Sequence, residues 1–172
     1  TLLLTKEDYI ELLGSKYKGG DGEGVFTYVL DSSQAKMAVA ENVSKQLNTH
    51  AFKCQAKCSL GNLTSNSLQD YKMPAVQDWL ASFANAEFIV TDSFHGMVFS
   101  IMFEKPFLVI ANKKRGAARF ESLLNKLQAE EHLIYDVNNI DYSVLSNIKP
   151  VDQEKLNVLK SDSVNFIHKY LN

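Results

Sequence analysis

Short apolar runs alternate with amphipathic stretches along most of the chain. Five runs have the length and the β-branched or aromatic content of strands, at residues 25–30, 49–56, 87–90, 107–110 and 133–135. Between them, apolar residues recur at spacings of three and four, as in helices that pack one face on a sheet. Strands that alternate with helices form parallel sheets, so the pattern predicts an α/β fold with an open, parallel, Rossmann-like sheet flanked by helices. With 172 residues, the chain is long enough to form a single domain, 1–172, with a substantial core.

Capping residues predict where several helices begin and end. Thr5 precedes two acidic residues, as at a helix start, and Gly14 is expected to end that helix. A helix opened by Met73-Pro74 is expected to bury Val76, Trp79, Leu80 and Phe83. Trp79 is therefore interpreted as a core residue and not as a platform for stacking a sugar. A long last helix, 151–171, carries its periodic apolar residues at Leu156, Leu159, Phe166, Ile167, Tyr170 and Leu171.

Residues 86–120 contain the strand–turn–helix unit twice. The apolar run 87–90 is followed by Thr91-Asp92-Ser93, residue types that cap helices, and then by an apolar helix at 94–103. The run 107–110 is followed by a cationic loop, 112–116, and a helix that begins near Arg119. Polar groups of parallel sheets collect outside the carboxyl ends of the strands. Both strand-to-helix connections are therefore expected at one rim of the sheet.

The two strand-to-helix connections contain the candidate functional residues. His95 lies beside the N–H donors of a helix N-terminus, and Lys113, Lys114, Arg115 and Arg119 follow the next strand. A histidine facing several cations suits an acidic small molecule and an acid/base step on it. Three alternatives remain open: a structural histidine, a merely solvated basic loop, and an outward-pointing Arg119 paired with Glu121 or another surface acid. Asp92 is interpreted first as a capping residue and second as a group that orients His95.

The same residues carry a family resemblance. The sequences Thr91-Asp92-Ser93-Phe94-His95-Gly96, Phe103-x-x-Pro106-Phe107 and Asn112-x-x-Arg115-Gly116-x-x-Arg119-Phe120 closely resemble the C-terminal half of the polysaccharide pyruvyl transferase family. The stretches 3–9 and 28–31 resemble the opening of that half, so the resemblance covers most of residues 1–130. It implies one half of a two-domain enzyme that resembles the GT-B glycosyltransferase fold. The chain starts at Thr1, where this half would begin, so we expect an excised domain that is inactive without its N-terminal partner domain.

The resemblance also implies a reaction. Family members transfer pyruvate from phosphoenolpyruvate to sugar hydroxyls, usually as a cyclic ketal, during synthesis of bacterial surface polysaccharides. The expected partners are phosphoenolpyruvate as donor and a glycan or lipid-linked sugar as acceptor, with neither a cofactor nor a metal. His95 is expected to act as general acid or phosphate ligand, because histidine has a pKa near neutrality. The expected substrate-binding residues are Ser93, Gly96, Asn112, Lys113, Lys114, Arg115 and Arg119, with the two arginines clamping carboxylate or phosphate.

Composition narrows the alternatives. A net charge of −2 with one short basic loop argues against general nucleic-acid binding. The sequence contains neither an apolar run of about 20 residues nor a signal peptide, so we predict no membrane span and a cytoplasmic location, at the inner face of the membrane. Cys54 and Cys58 are interpreted as free thiols, and His132 and His168 as histidines in polar helical surroundings without a chemical role. A glycosyltransferase half that binds a sugar nucleotide and a non-catalytic ligand-binding domain are the competing functions.

Overall fold

Five parallel strands form one sheet in the order β2-β1-β3-β4-β5. The computed structural model describes residues 4–19, 22–31, 33–58, 67–111 and 117–171. Its strands are β1 (Val25–Tyr28), β2 (Ala51–Phe52), β3 (Phe88–Thr91), β4 (Phe107–Ile110) and β5 (Leu133–Ile134). The predicted open, parallel α/β sheet is confirmed, and each strand lies inside or within one residue of its predicted run.

The helices follow the strands as the pattern predicted. They are α1 (Lys6–Leu13), α2 (Gln34–Gln46), α3 (Val76–Asn85), α4 (Phe94–Met102), α5 (Ala118–Leu127) and α6 (Gln153–Leu171). Thr5 caps α1 in a capping box with Asp8, and Gly14 ends it with a φ of +52°. The local signals for this helix were therefore sufficient to place both of its ends.

The sheet separates two hydrophobic clusters, because successive side chains of a strand point to opposite faces. Phe26, Ile89 and Phe107 belong to the larger cluster, with buried residues of α1, α3, α4, α5 and α6. Val25, Phe88 and Leu108 belong to the smaller cluster, with buried residues of α2 and with Leu145 and Ile148. The helices α2 and α4 thus pack on opposite faces of the sheet.

This arrangement creates a topological switch between β1 and β3. The chain leaves β1 through α2 to reach β2 on one side, and later leaves β3 through α4 to reach β4 on the other side. The connections after β1 and β3 therefore diverge to opposite faces. In open parallel sheets, the crevice at such a point is the usual place for a ligand.

Two helix predictions need correction. Helix α3 begins at Val76, two residues later than expected, and the Val76 side chain is 67% exposed because it stands in the first turn beyond the sheet. In α6, Leu156 is buried, but Phe166, Ile167 and Tyr170 are exposed, since the second half of the helix extends beyond the body of the domain. Trp79 is half-buried among Tyr28, Phe83 and Phe99, which confirms it as a core residue.

His132 lies in the core and not in the polar surroundings that the sequence predicted. Its ring stacks on Phe107, with 4.2 Å between centroids, and its Nδ1 lies 2.8 Å from the Phe107 carbonyl oxygen. Burial lowers the pKa of His132, although the bond to Phe107 and the nearby Glu131 carboxylate oppose that shift. This histidine therefore fastens the turn before β5 onto β4. The prediction failed because its neighbours in the sequence, Glu130 and Glu131, are polar while its spatial neighbour is not.

Two further predictions from the sequence concern the cysteines and a membrane span. Cys54 and Cys58 are both free thiols. Within the described ranges, every helix is too short or too polar to cross a lipid bilayer.

Candidate functional site

Thr91, the last residue of β3, joins the two sides of the crevice. Its Oγ1 donates to the Tyr28 carbonyl oxygen (2.7 Å) at the end of β1. Thr91 Oγ1 also accepts the N–H of Ser93 (3.1 Å), the residue in the turn that leads into α4. One buried hydroxyl thus fixes the carboxyl ends of both strands relative to the start of α4.

The first turn of α4 is pressed closely against β3. Ser93 is the N-cap, and its hydroxyl accepts the Gly96 N–H at 3.4 Å. A Cβ at position 96 would lie 2.2 Å from Thr91 Oγ1, far inside contact distance. Position 96 therefore requires glycine for packing. That Ser93 and Gly96 also line an anion pocket stays a prediction.

Asp92 has a different role from the two that the sequence suggested. Its carboxylate is buried and accepts the Leu30 N–H (2.7 Å) and the Asp31 N–H (3.3 Å), both in the segment that follows β1. It also pairs with Lys36 Nζ at 2.7 Å. Ser93, and not Asp92, caps α4, and the Asp92 oxygens contact the far side of the crevice.

The sequence reading missed the second layer of this rim, formed by Lys36 and Asp31. Lys36 belongs to the first turn of α2, and its ammonium lies 3.3 Å from the exposed Asp31 carboxylate. Burial, with the nearby Asp92 carboxylate, raises the pKa of the Tyr28 phenol above its ordinary value. In the sequence, Lys36 has the pattern of a solvated lysine near a helix start, and only the pairing of β1 with β3 brings it to Asp92.

His95 is exposed on the first turn of α4, three residues after Asp92 in the chain. Its neighbour Phe94 is half-buried and packs against Phe120 of α5. The Arg119 guanidinium lies over the Phe94 ring, 5.3 Å from its centroid. Glu121, proposed as an alternative partner for Arg119, accepts a hydrogen bond from the Tyr135 hydroxyl (2.8 Å). The structure therefore brings Arg119 to the residue beside His95.

The remaining predicted site residues, Asn112, Lys113, Lys114 and Arg115, lie outside the described residues. In the chain they follow β4, which pairs directly with β3. Among the described residues, no group of three or more histidine, cysteine or carboxylate side chains is arranged to hold a metal ion. An exposed imidazole with a guanidinium close by can exchange a proton with an anionic ligand and bind its charge.

Comparison with known proteins connects this rim to a family. The sequence model of polysaccharide pyruvyl transferases matches residues 1–114, which is more than half of the 172. The chain belongs to the polysaccharide pyruvyl transferase family. The match includes β1 to β4 and His95, whereas Arg115 and Arg119 lie beyond its end. Neither the curated proteins nor the solved structures include a significant match to the chain.

Proposed function

We propose that this family member transfers the pyruvyl group of phosphoenolpyruvate to two hydroxyls of a glycan or lipid-linked sugar, forming a cyclic ketal. Protonation of C3 makes C2 electrophilic, one sugar hydroxyl adds to C2, and the C2–O bond to phosphate breaks. The second hydroxyl then closes the ketal. The two hydroxyl protons balance the proton gained by C3 and the one carried away by phosphate.

His95 is the proposed general acid or phosphate ligand. The observation that carries the proposal is its exposed position on the first turn of α4, over the switch between β1 and β3. An imidazolium can give a proton to C3 as a general acid. Arg119, whose guanidinium lies over the ring of Phe94, the chain neighbour of His95, is proposed to bind the donor carboxylate or phosphate.

The rest of the proposed site comes from the sequence. Asn112, Lys113, Lys114 and Arg115 are proposed to add positive charge around the donor, and Ser93 and Gly96 to border the anion. The proposal also includes a second domain, so that residues 1–172 form one half of a two-domain enzyme. It places the reaction in the bacterial cytoplasm, at the inner face of the membrane, without nucleic acid, cofactor or metal.

The experiment is His95→Gln in the protein expressed from its complete reading frame. Glutamine can still donate a hydrogen bond but cannot transfer a proton at neutral pH. We expect the melting temperature and donor affinity to stay close to wild type. Single-turnover rates with phosphoenolpyruvate and acceptor should fall roughly 10²–10⁴-fold, the range for loss of a general acid.

His168→Gln is the matched control, because His168 is an exposed histidine on α6, far from the rim in the sequence. It should leave the single-turnover rate unchanged. Wild-type rates in a folded His95→Gln enzyme would remove the proposed acid. Thermal stabilisation of the wild type by sugar nucleotides, and not by phosphoenolpyruvate, would favour a glycosyltransferase instead.

A further inference from the structure

A buried ion pair includes Asp92, three residues before the proposed catalytic histidine in the chain. The Asp92 side chain has no exposed surface, and that of Lys36 is 11% exposed, with 2.7 Å between Oδ2 and Nζ. Removing two charges from water is costly, and their attraction rarely offers a net gain over well-packed apolar residues. Stability alone is therefore a weak reason for this pair at this place.

The contacts of the Asp92 carboxylate cross the crevice. They connect the turn before α4, the helix that contains His95, to residues 30 and 31 after β1 and to the first turn of α2. The helices α2 and α4 lead to opposite faces of the sheet, and the Asp92 carboxylate adds a connection beyond the strand pairing of β1 with β3 and the Thr91 hydroxyl. Three donors from two elements, the segment after β1 and the first turn of α2, thus converge on one carboxylate.

Two residues that contact this ion pair, Leu30 and Asp31, are exposed at the surface of the crevice. Leu30 is 44% exposed, and the Asp31 side chain is 59% exposed while it contacts Lys36 Nζ. The crevice therefore has an exposed carboxylate on its β1 side and His95 on its β3 side. A carboxylate repels an anionic donor but accepts hydrogen bonds from hydroxyl groups. This side of the crevice suits the hydroxyls of a sugar.

We propose that Asp92 is a positioning residue which, with Lys36, holds residues 30 and 31 at a fixed distance from His95, so that the acceptor hydroxyls meet the reacting carbon. The proposal rests on the proposed function for the reaction itself. Asp92 does not touch the substrate. It acts through the segment after β1, whose small displacement is enough to misalign a hydroxyl and slow the reaction.

The test is Asp92→Asn in the protein expressed from its complete reading frame. The asparagine oxygen can keep the Leu30 N–H bond, but its NH₂ group would face two donors, the Asp31 N–H and Lys36 Nζ. We expect amide hydrogen exchange at Asp31 to become roughly tenfold faster. The kcat should fall roughly 10–100-fold, with the KM for phosphoenolpyruvate nearly unchanged, because the donor lies on the other side of His95.

Asn85→Ala provides the matched control. Asn85 is 2% exposed and also anchors a loop through two bonds, accepting the Lys18 N–H (2.8 Å) and donating to the Lys16 carbonyl oxygen (2.8 Å). It lies at the end of α3, shortly before β3 begins, and so at the amino ends of the strands, opposite the crevice at their carboxyl ends. The control should lower the melting temperature while its kcat per folded molecule stays close to wild type.

The proposal is overturned if exchange at Asp31 is unchanged, or if kcat per folded molecule falls no further than in Asn85→Ala. Should Asp92→Asn fail to fold, Lys36→Gln replaces it, since glutamine still offers a donor to Asp92 without the charge, and the same two measurements apply. A wild type without phosphoenolpyruvate turnover would refute the proposed function alone. The exchange rates at Leu30 and Asp31 would then still decide whether Asp92 holds this segment.

Discussion

Replacing Gly96 by alanine tests the close packing beneath the proposed site. The added methyl carbon would lie 2.2 Å from Thr91 Oγ1 and 3.0 Å from Thr91 Cβ. Thr91 has little freedom to retreat, because it is fully buried and its hydroxyl bonds both the Tyr28 carbonyl and the Ser93 N–H. Either the hydroxyl gives up these bonds or the first turn of α4 moves away from β3.

The magnitude follows from three effects. Overpacking in a tight core costs about 1–3 kcal/mol of unfolding free energy, and each lost hydrogen bond about 0.5–1.5 kcal/mol. Alanine in a helix recovers about 1 kcal/mol relative to glycine. The net loss should be roughly 2–4 kcal/mol, which lowers the melting temperature by about 5–15 °C in a protein of this size.

Urea denaturation of the wild type and Gly96→Ala measures this loss. Gly14→Ala is a reference without a packing clash, because no heavy atom lies within 4 Å of its added Cβ, although its backbone angles, φ +52° and ψ −126°, are unfavourable for a residue with a side chain. It should cost about 1–3 kcal/mol. In a double-mutant cycle, Thr91→Ala should relieve part of the Gly96→Ala cost, since it removes the clashing hydroxyl. The reasoning fails if Gly96→Ala is as stable as the wild type, or if the two substitutions at 91 and 96 are additive.

Two further substitutions test other parts of the structure. His132→Phe keeps the ring against Phe107 but loses the bond to its carbonyl, so chemical denaturation at pH 7.5 should show a loss of about 1–3 kcal/mol. Burial lowers the pKa of folded His132, so the wild type loses stability as pH falls below the unfolded pKa of 6.5. The difference in unfolding free energy between the wild type and His132→Phe should therefore become smaller below that pH. A difference that is constant with pH would contradict this. Arg119→Ala should weaken phosphoenolpyruvate binding by about 1.5–3 kcal/mol, the scale of a charge-assisted bond, as measured by calorimetry. Its melting temperature should be nearly unchanged, because Arg119 is exposed, and unchanged affinity would remove it from the donor site.

The sequence determined the fold class and the place of most elements, because those depend on local chemistry. Short apolar runs rich in β-branched and aromatic residues, followed by capping residues, favour buried strands. Thr5, Ser33 and Ser93 accept N–H groups of their own helices. It also placed His95 at the start of a helix after a buried strand, and its motif indicated the family that the comparison then established.

Tertiary structure alone decided the partners of the polar side chains. Asp92 and Lys36 are 56 residues apart, and Asp92 and Leu30 are 62 apart, so no helical or strand period relates them. His132 likewise looks polar in the sequence but stacks on Phe107, 25 residues earlier. Local spacing specifies which face of an element is apolar. Which buried charge meets which depends on the order of strands in the sheet, and that order is fixed only when the whole core packs.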